Sequence, residues 1–285
     1  MKEIGIANLP NLKHKIHTEK GIRFNMAVAG SHGLGKTTFI NNFLGQIVFK
    51  EHFNTKIIQE SCRIETTNLD LEEENLKIRM DLIKINGIGD CVNNSNVTQP
   101  IREFLLQKYD EYSAQFDNKV KSEIEDPRIH LCIYFLEPVN YLKQSDVDAM
   151  TAISEYCTII PVVAKSDLLV PEEINEIRRL ISTTFSNHES YFISCTTDCS
   201  EIKEYNWGVV KRDNFDFHKL RQDVLEKETL GYYEETEFLY DTYRINILAG
   251  KVVNGQSLLT KLNGKQHELD EIKERIRHKK KILGE

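Results

Sequence analysis

The residues best suited to chemistry stand in one run, Gly30-Ser31-His32-Gly33-Leu34-Gly35-Lys36-Thr37-Thr38. They fit the pattern G-x-x-x-x-G-K-[ST]. A strand-like alternation over 22–29 precedes them, and an apolar-periodic stretch that predicts a helix (Phe39, Ile40, Phe43, Leu44, Ile47) follows. Glycines let consecutive backbone N–H groups turn toward one anion, Lys36 reaches the terminal phosphates, and the Thr37 hydroxyl can ligate Mg²⁺. The helix that starts after Lys36 adds its positive end to the same phosphates. Strand, loop and helix in this order predict nucleotide binding.

A second constellation, Lys165-Ser166-Asp167, closes the apolar run Ile159-Ile160-Pro161-Val162-Val163-Ala164. The Asp167 carboxylate can accept from N1–H and the 2-amino group of guanine together, while the Lys165 stem packs along the base. Adenine offers no such donor pair, so guanine is expected. A third position of interest is Lys84. In nucleotide hydrolases the strand after the first switch ends in D-x-x-G, whose Asp supports Mg²⁺ and whose Gly N–H bonds the γ-phosphate. Here Gly87 is in place and the Asp position holds Lys84. Asp81, three residues earlier, points to the opposite sheet face unless a bulge intervenes. The expectation is nucleotide binding with little Mg²⁺ dependence and slow or absent hydrolysis.

The elements that must position these groups are legible as hydrophobic runs. Cys62 to Leu71 and Leu76 to Ile85 read as paired strands across the acidic turn Glu72-Glu73-Glu74-Asn75. A polar, helix-capable stretch over 99–125 follows, then a plain core strand over His130–Leu136 and a last one over Tyr191–Ser194. Length and ordinary apolar content suit one enlarged α/β domain with tails. No run of eighteen apolar residues and no signal-like N-terminus occur, so a cytosolic protein is expected. The net charge of −7 argues against bulk binding to nucleic acid, although a local basic patch can still act. Six cysteines without zinc spacing read as reduced structural thiols. Lys13, Lys15, Lys20 and Arg23 cluster ahead of the domain, where they could bind acidic lipid headgroups or serve as a solvated leader.

Together these blocks resemble the septin family almost end to end. The matching segments include Ile6-Ala7-Asn8-Leu9-Pro10-Asn11, the loop with Gly33-Leu34-Gly35-Lys36, Asn94-Ser95-Asn96 with Gln99-Pro100, and Asp126-Pro127-Arg128-Ile129-His130. They continue through Ala164-Lys165-Ser166-Asp167 to the single tryptophan in Trp207-Gly208-Val209 and on to Tyr243-Arg244. The resemblance implies a P-loop GTPase fold, with a mixed, mostly parallel sheet between helices, an extra C-terminal element and a short C-terminal helix. It implies a basic leader over 1–21, a GTP-binding domain over 22–244 and a tail over 245–285. It also implies GTP or GDP as ligand, other septin subunits as filament partners, and a phosphoinositide membrane surface met by the leader. The expected place is the cytoskeleton at the cell cortex or division septum, with Trp207 and His130 facing partner subunits.

Departures from the family pattern bear on hydrolysis. The switch threonine that orients water falls on Ser61, the base-stacking glycine on Ser194, and the arginine before the Trp-Gly pair on Lys203. In the tail, Leu258, Leu262, Leu269, Ile272, Ile276 and Leu283 form two to three imperfect heptads, either pairing with a partner's tail or packing on the parent domain. Three readings follow: a filament-forming GTP-binding protein with weak or absent hydrolysis, an active GTPase whose turnover regulates assembly, and a nucleotide-free scaffold subunit.

Overall fold

The computed structural model describes residues 22–50, 62–73, 76–91, 94, 97–116, 125–185, 189–195, 202–205, 208–211, 215–227, 229 and 231–247. Lys13, Lys15, Lys20, Ser61, Trp207, Cys199 and the tail leucines lie outside them. Strands β1 (Ile22–Arg23), β2 (Met26–Gly30), β3 (Arg63–Glu73), β4 (Leu76–Asn86), β5 (Leu131–Leu136), β6 (Thr158–Val163) and β7 (Tyr191–Phe192) form one seven-stranded sheet. Only the β3–β4 pairing is antiparallel, and β4, β2, β5, β6 and β7 follow one another in parallel. A separate antiparallel pair joins β8 (Ile202–Tyr205) to β9 (Gly208–Lys211).

Alternation along these strands divides the core into two faces. Met26, Val28, Leu82, Ile133, Phe135 and Val162 point to one side. There they meet Phe39, Ile40 and Phe43 of α1 (Lys36–Leu44) and Phe217 and Leu220 of α5 (Phe217–Gln222). Ala27, Ala29, Ile83, Ile85, Tyr134 and Val163 point to the other, against α2 (Thr98–Phe116), α3 (Gln144–Ser154) and α4 (Pro171–Thr184). Phe39, Ile40 and Phe43 are fully buried, each contributing roughly 1.5–3 kcal/mol and fixing α1 against the end of β2. α1 stops sooner than its apolar spacing predicts. Gly45 adopts φ 68°, a left-handed helix end, and Ile47 beyond it is 83% exposed.

The first strand is also not continuous. Between β1 and β2, Asn25 turns its side chain into the sheet: its amide nitrogen donates to the carbonyls of Asp126 (2.8 Å) and Arg128 (2.7 Å), and its oxygen accepts from Asp81 N–H (3.2 Å). His130 Nδ1 accepts the Asn25 N–H at 2.9 Å, which leaves its proton on Nε2, 3.4 Å from Asp126. The ring is fully buried, stacked 4.3 Å from Tyr233 and 5.8 Å from Phe24. His130, expected at a subunit interface, is thus an internal bracket of the domain. The described residues up to Glu237 form one compact unit, and those from Phe238 on, helical over 238–247, belong to a second.

Candidate functional site

Parallel strands gather their following loops at one end. Gly30 pairs with Asn86 on one side and Phe135 on the other, and Phe135 pairs with Val162, so the segments after β2, β4 and β6 emerge along a common carboxyl edge. Ligands of open α/β sheets bind at such edges. Gly30 has φ 138°, and a Cβ there would stand 2.5 Å from the Phe135 carbonyl oxygen, so the loop can leave the sheet only through glycine.

Inside the loop, Lys36 curls back over it, donating to the carbonyls of Gly30 (2.9 Å) and Ser31 (2.5 Å) while remaining 4% exposed. Burial, and to a lesser degree the charge of Lys84, push its ammonium down to about 8, against the pull of Asp90. The segment Gly87–Asp90 is tied to the loop at two points. Ser31 Oγ donates to the Ile88 carbonyl (2.9 Å), and the Asp90 carboxylate accepts the His32 N–H (2.6 Å). The anion-seeking amide of the loop is therefore already occupied by a protein carboxylate. Leu34 is buried, and Gly33 and His32 are exposed. Thr37 and Thr38 are half-buried in the first turn of α1.

Lys84 lies on the α1 face of β4, as its alternation with the core positions Leu82 and Ile83 requires, and is 6% exposed. Its Nζ stands 2.8 Å from Glu65 Oε2, 3.5 Å from Thr37 Oγ1 and 4.5 Å from the centre of the Phe49 ring. Glu65 is its register partner on β3 and also meets Arg63 at 3.0 Å. Asp81, on the opposite side of β4, holds Arg23 at 2.8 Å, and Glu125 holds the same guanidinium at 3.1 Å. Arg23, grouped with the lipid-facing lysines by sequence, is thus committed to two carboxylates within the domain.

A magnesium ion held by Thr37 would need oxygen ligands around it. What faces the Thr37 hydroxyl is an ammonium, and the adjoining carboxylate is shared between Lys84 and Arg63. Among the described residues no group of three or more His, Cys, Asp or Glu side chains is placed to hold a metal. The residues present do not fit a divalent ion in this arrangement.

The third loop, after β6, holds a strained turn. Lys165 adopts φ 51°, the only non-glycine with positive φ among the described residues, a strained geometry of the kind held at binding sites. It leads into a single tight turn, Ser166–Leu168, in which Asp167 is 7% exposed. Ser166 locks the turn: its Oγ donates to the Val163 carbonyl (2.8 Å) and its N–H to the Ile193 carbonyl (3.0 Å). Ile193 N–H returns a bond to the Val163 carbonyl, which brings buried Ser194 alongside the turn. Lys203 sits in β8 of the separate pair, and its side chain is outside the described part.

The sequence singled out the phosphate loop, the Lys165–Asp167 segment and Lys84, which the structure places along one sheet edge, and did not single out Asp90, Glu65 and Phe49, which contact them. Asp90 had a signal, a carboxylate three residues after Gly87. Glu65 needed the hairpin register, and Phe49 needed the path of the chain after Gly45.

The septin family model matches residues 20–204. Septin homolog spn4 of Schizosaccharomyces pombe is 31% identical over 94% of this chain and 82% of that protein. Cell division control protein 3 of Encephalitozoon cuniculi is 30% identical over 85% and 80%. The septin GTPase domain from Chlamydomonas reinhardtii superposes with a TM-score of 0.59 at 17% identity, covering 78% of this chain and 98% of that one, a likeness of fold. The matched span contains the phosphate loop, Lys84 and the Lys165–Asp167 turn, and the chain belongs to the septin family.

Proposed function

We propose that the chain is a septin-like, guanine-nucleotide-binding structural subunit that assembles with other septin chains into filaments at the membrane cortex and division site, with weak or absent hydrolysis. The observation that carries the nucleotide reading is the shared carboxyl edge, where the buried Lys36 of the loop and the strained Lys165–Asp167 turn flank the end of β5. Phosphates bind at the first and the base at the second. Family membership supports the assembly. The basic residues Lys13, Lys15 and Lys20 support contact with phosphoinositide headgroups.

Base choice tests this most directly. Nucleotide-stripped protein titrated with GDP and ADP should bind GDP strongly and ADP barely. Asp167→Asn should weaken GDP by about 1.5–3 kcal/mol, the scale of charge-assisted hydrogen bonds, and leave ADP unchanged. Equal affinity for the two nucleotides would sink the assignment.

A further inference from the structure

A second cation, Lys84, stands beside the phosphate loop. A lysine 6% exposed on a central strand is unusual unless paired, and Lys84 is paired to Glu65 at 2.8 Å and braced against the Phe49 ring. Its position is set by β4, since residue 84 alternates onto the α1 face, where Thr37 opens the helix. An ammonium carries three donors. Among the described residues Glu65 takes one and Thr37, at 3.5 Å, a long second, and the Phe49 ring lies 4.5 Å from the same Nζ, so Glu65 is the one strong acceptor an anion would have to replace. The Lys84 and Lys36 charges are close enough to influence each other, and a phosphate seated on the loop would meet both.

A lysine bound to a carboxylate is a nearly neutral pair and exerts little pull on an anion. The same lysine released from it is a full cation in a water-poor setting, where electrostatic contacts are strong. Resting on the nucleotide reading above, we propose that Lys84 is a tethered cation that does for the nucleotide's phosphates what a divalent ion would otherwise do. Glu65 is its counter-ion, and nucleotide binding exchanges the Glu65 carboxylate for a phosphate oxygen on the Lys84 ammonium. Glu65 does not lose all company in the exchange, because Arg63 stands 3.0 Å from its other oxygen. The site therefore takes guanine nucleotide without metal, and Glu65 sets the affinity by competing with the phosphate.

Calorimetric titration of the full, nucleotide-stripped chain with GDP, in excess Mg²⁺ and in excess EDTA, tests the exchange, with thermal unfolding to confirm that each variant folds. Wild-type affinity should be the same in both conditions. Glu65→Gln should bind GDP about tenfold tighter, the scale of one charge-assisted hydrogen bond no longer surrendered. Lys84→Gln should bind at least about tenfold more weakly in both conditions, and Lys84→Arg, which keeps the charge, should recover much of that loss. If Mg²⁺ tightens wild-type binding and Glu65→Gln abolishes that gain, Glu65 is a metal ligand and the exchange is overturned. Weaker GDP binding by Glu65→Gln, without a fall in unfolding temperature, would overturn it as well. Failure of the wild type to bind GDP with or without metal would instead overturn the nucleotide reading, and the exchange with it.

Discussion

Lys36 shows how a single residue carries two opposed demands. The proposed phosphate contact needs its charge, yet burial disfavours that charge, and its close acceptors are two loop carbonyls. The result is an ammonium that releases its proton near pH 8 instead of 10.5. Contact with phosphate favours the charged form and raises that value, so above about pH 8 the complex holds more protons than the free chain. Nucleotide affinity should therefore be flat below that pH and fall as pH rises through it, with uptake of a proton on binding. Titrations above pH 8 in two buffers of different ionisation enthalpy check this. Identical binding enthalpies in the two would show that Lys36 is already fully charged before nucleotide arrives. The type and spacing of Lys36 were readable in the sequence because the motif is local. Its hydrogen bonds to its own loop were not, because they depend on the three-dimensional path of the loop, which residue types and spacing do not specify.

At the scale of elements, what the sequence obscures is register and interruption. A turn of four residues, Glu72 to Asn75, would set Arg63 opposite Lys84, two cations facing each other. β3 runs two residues further into the turn, to Glu73 opposite Leu76, and this places Glu65 there instead. Periodicity identified both strands, but it could not choose the partner, since a shift of two leaves every side chain on the same face. The break at Asn25 was hidden for a different reason. Its cause is the segment leading into β5, far away in sequence, where Asp126 and Arg128 are buried together. The Asp126 carboxylate accepts the Arg128 Nε–H (2.9 Å) and Nη2–H (2.6 Å), and the guanidinium stacks 3.7 Å over the Tyr112 ring and reaches Glu237 (2.7 Å).

Burial alone would raise the carboxyl of Asp126. The hydrogen bonds from His130 and Arg128 outweigh it and hold the group well below the ordinary carboxylate range. A depressed carboxyl means that the unfolded chain takes up its proton first as pH falls. The stability contributed by Asp126 is thus complete above the unfolded value near 3.9 and is lost progressively below it. Asp126→Asn leaves the Arg128 charge buried without its carboxylate. It should destabilise the domain by about 3–5 kcal/mol at neutral pH and flatten the acid limb of the stability curve. Urea unfolding of both proteins across a pH series measures this. A variant as stable as the wild type at neutral pH would mean that Glu237 alone suffices to hold Arg128.

For the whole molecule, charge and its placement matter more than any single bond. The chain carries a net −7, so approach to an anionic surface is unfavourable except where cations are concentrated. Lys13, Lys15 and Lys20 form such a concentration, ahead of a domain whose first basic strand residue, Arg23, is neutralised by Asp81 and Glu125. No described helix is long and apolar enough to cross a membrane. Each lysine near an anionic leaflet contributes about 1 kcal/mol, and three together about 3 kcal/mol, on the order of a hundredfold in partitioning. Replacing Lys13, Lys15 and Lys20 with alanine should remove sedimentation with phosphoinositide-containing vesicles, and raising the salt should do the same to the wild type. Arg23→Ala separates this electrostatic effect from damage to the fold. It breaks two ion pairs at the edge of the sheet and should lower thermal stability while leaving vesicle binding intact. Loss of sedimentation by Arg23→Ala together with unchanged sedimentation of the triple-lysine variant would move the lipid contact from the leader onto the domain.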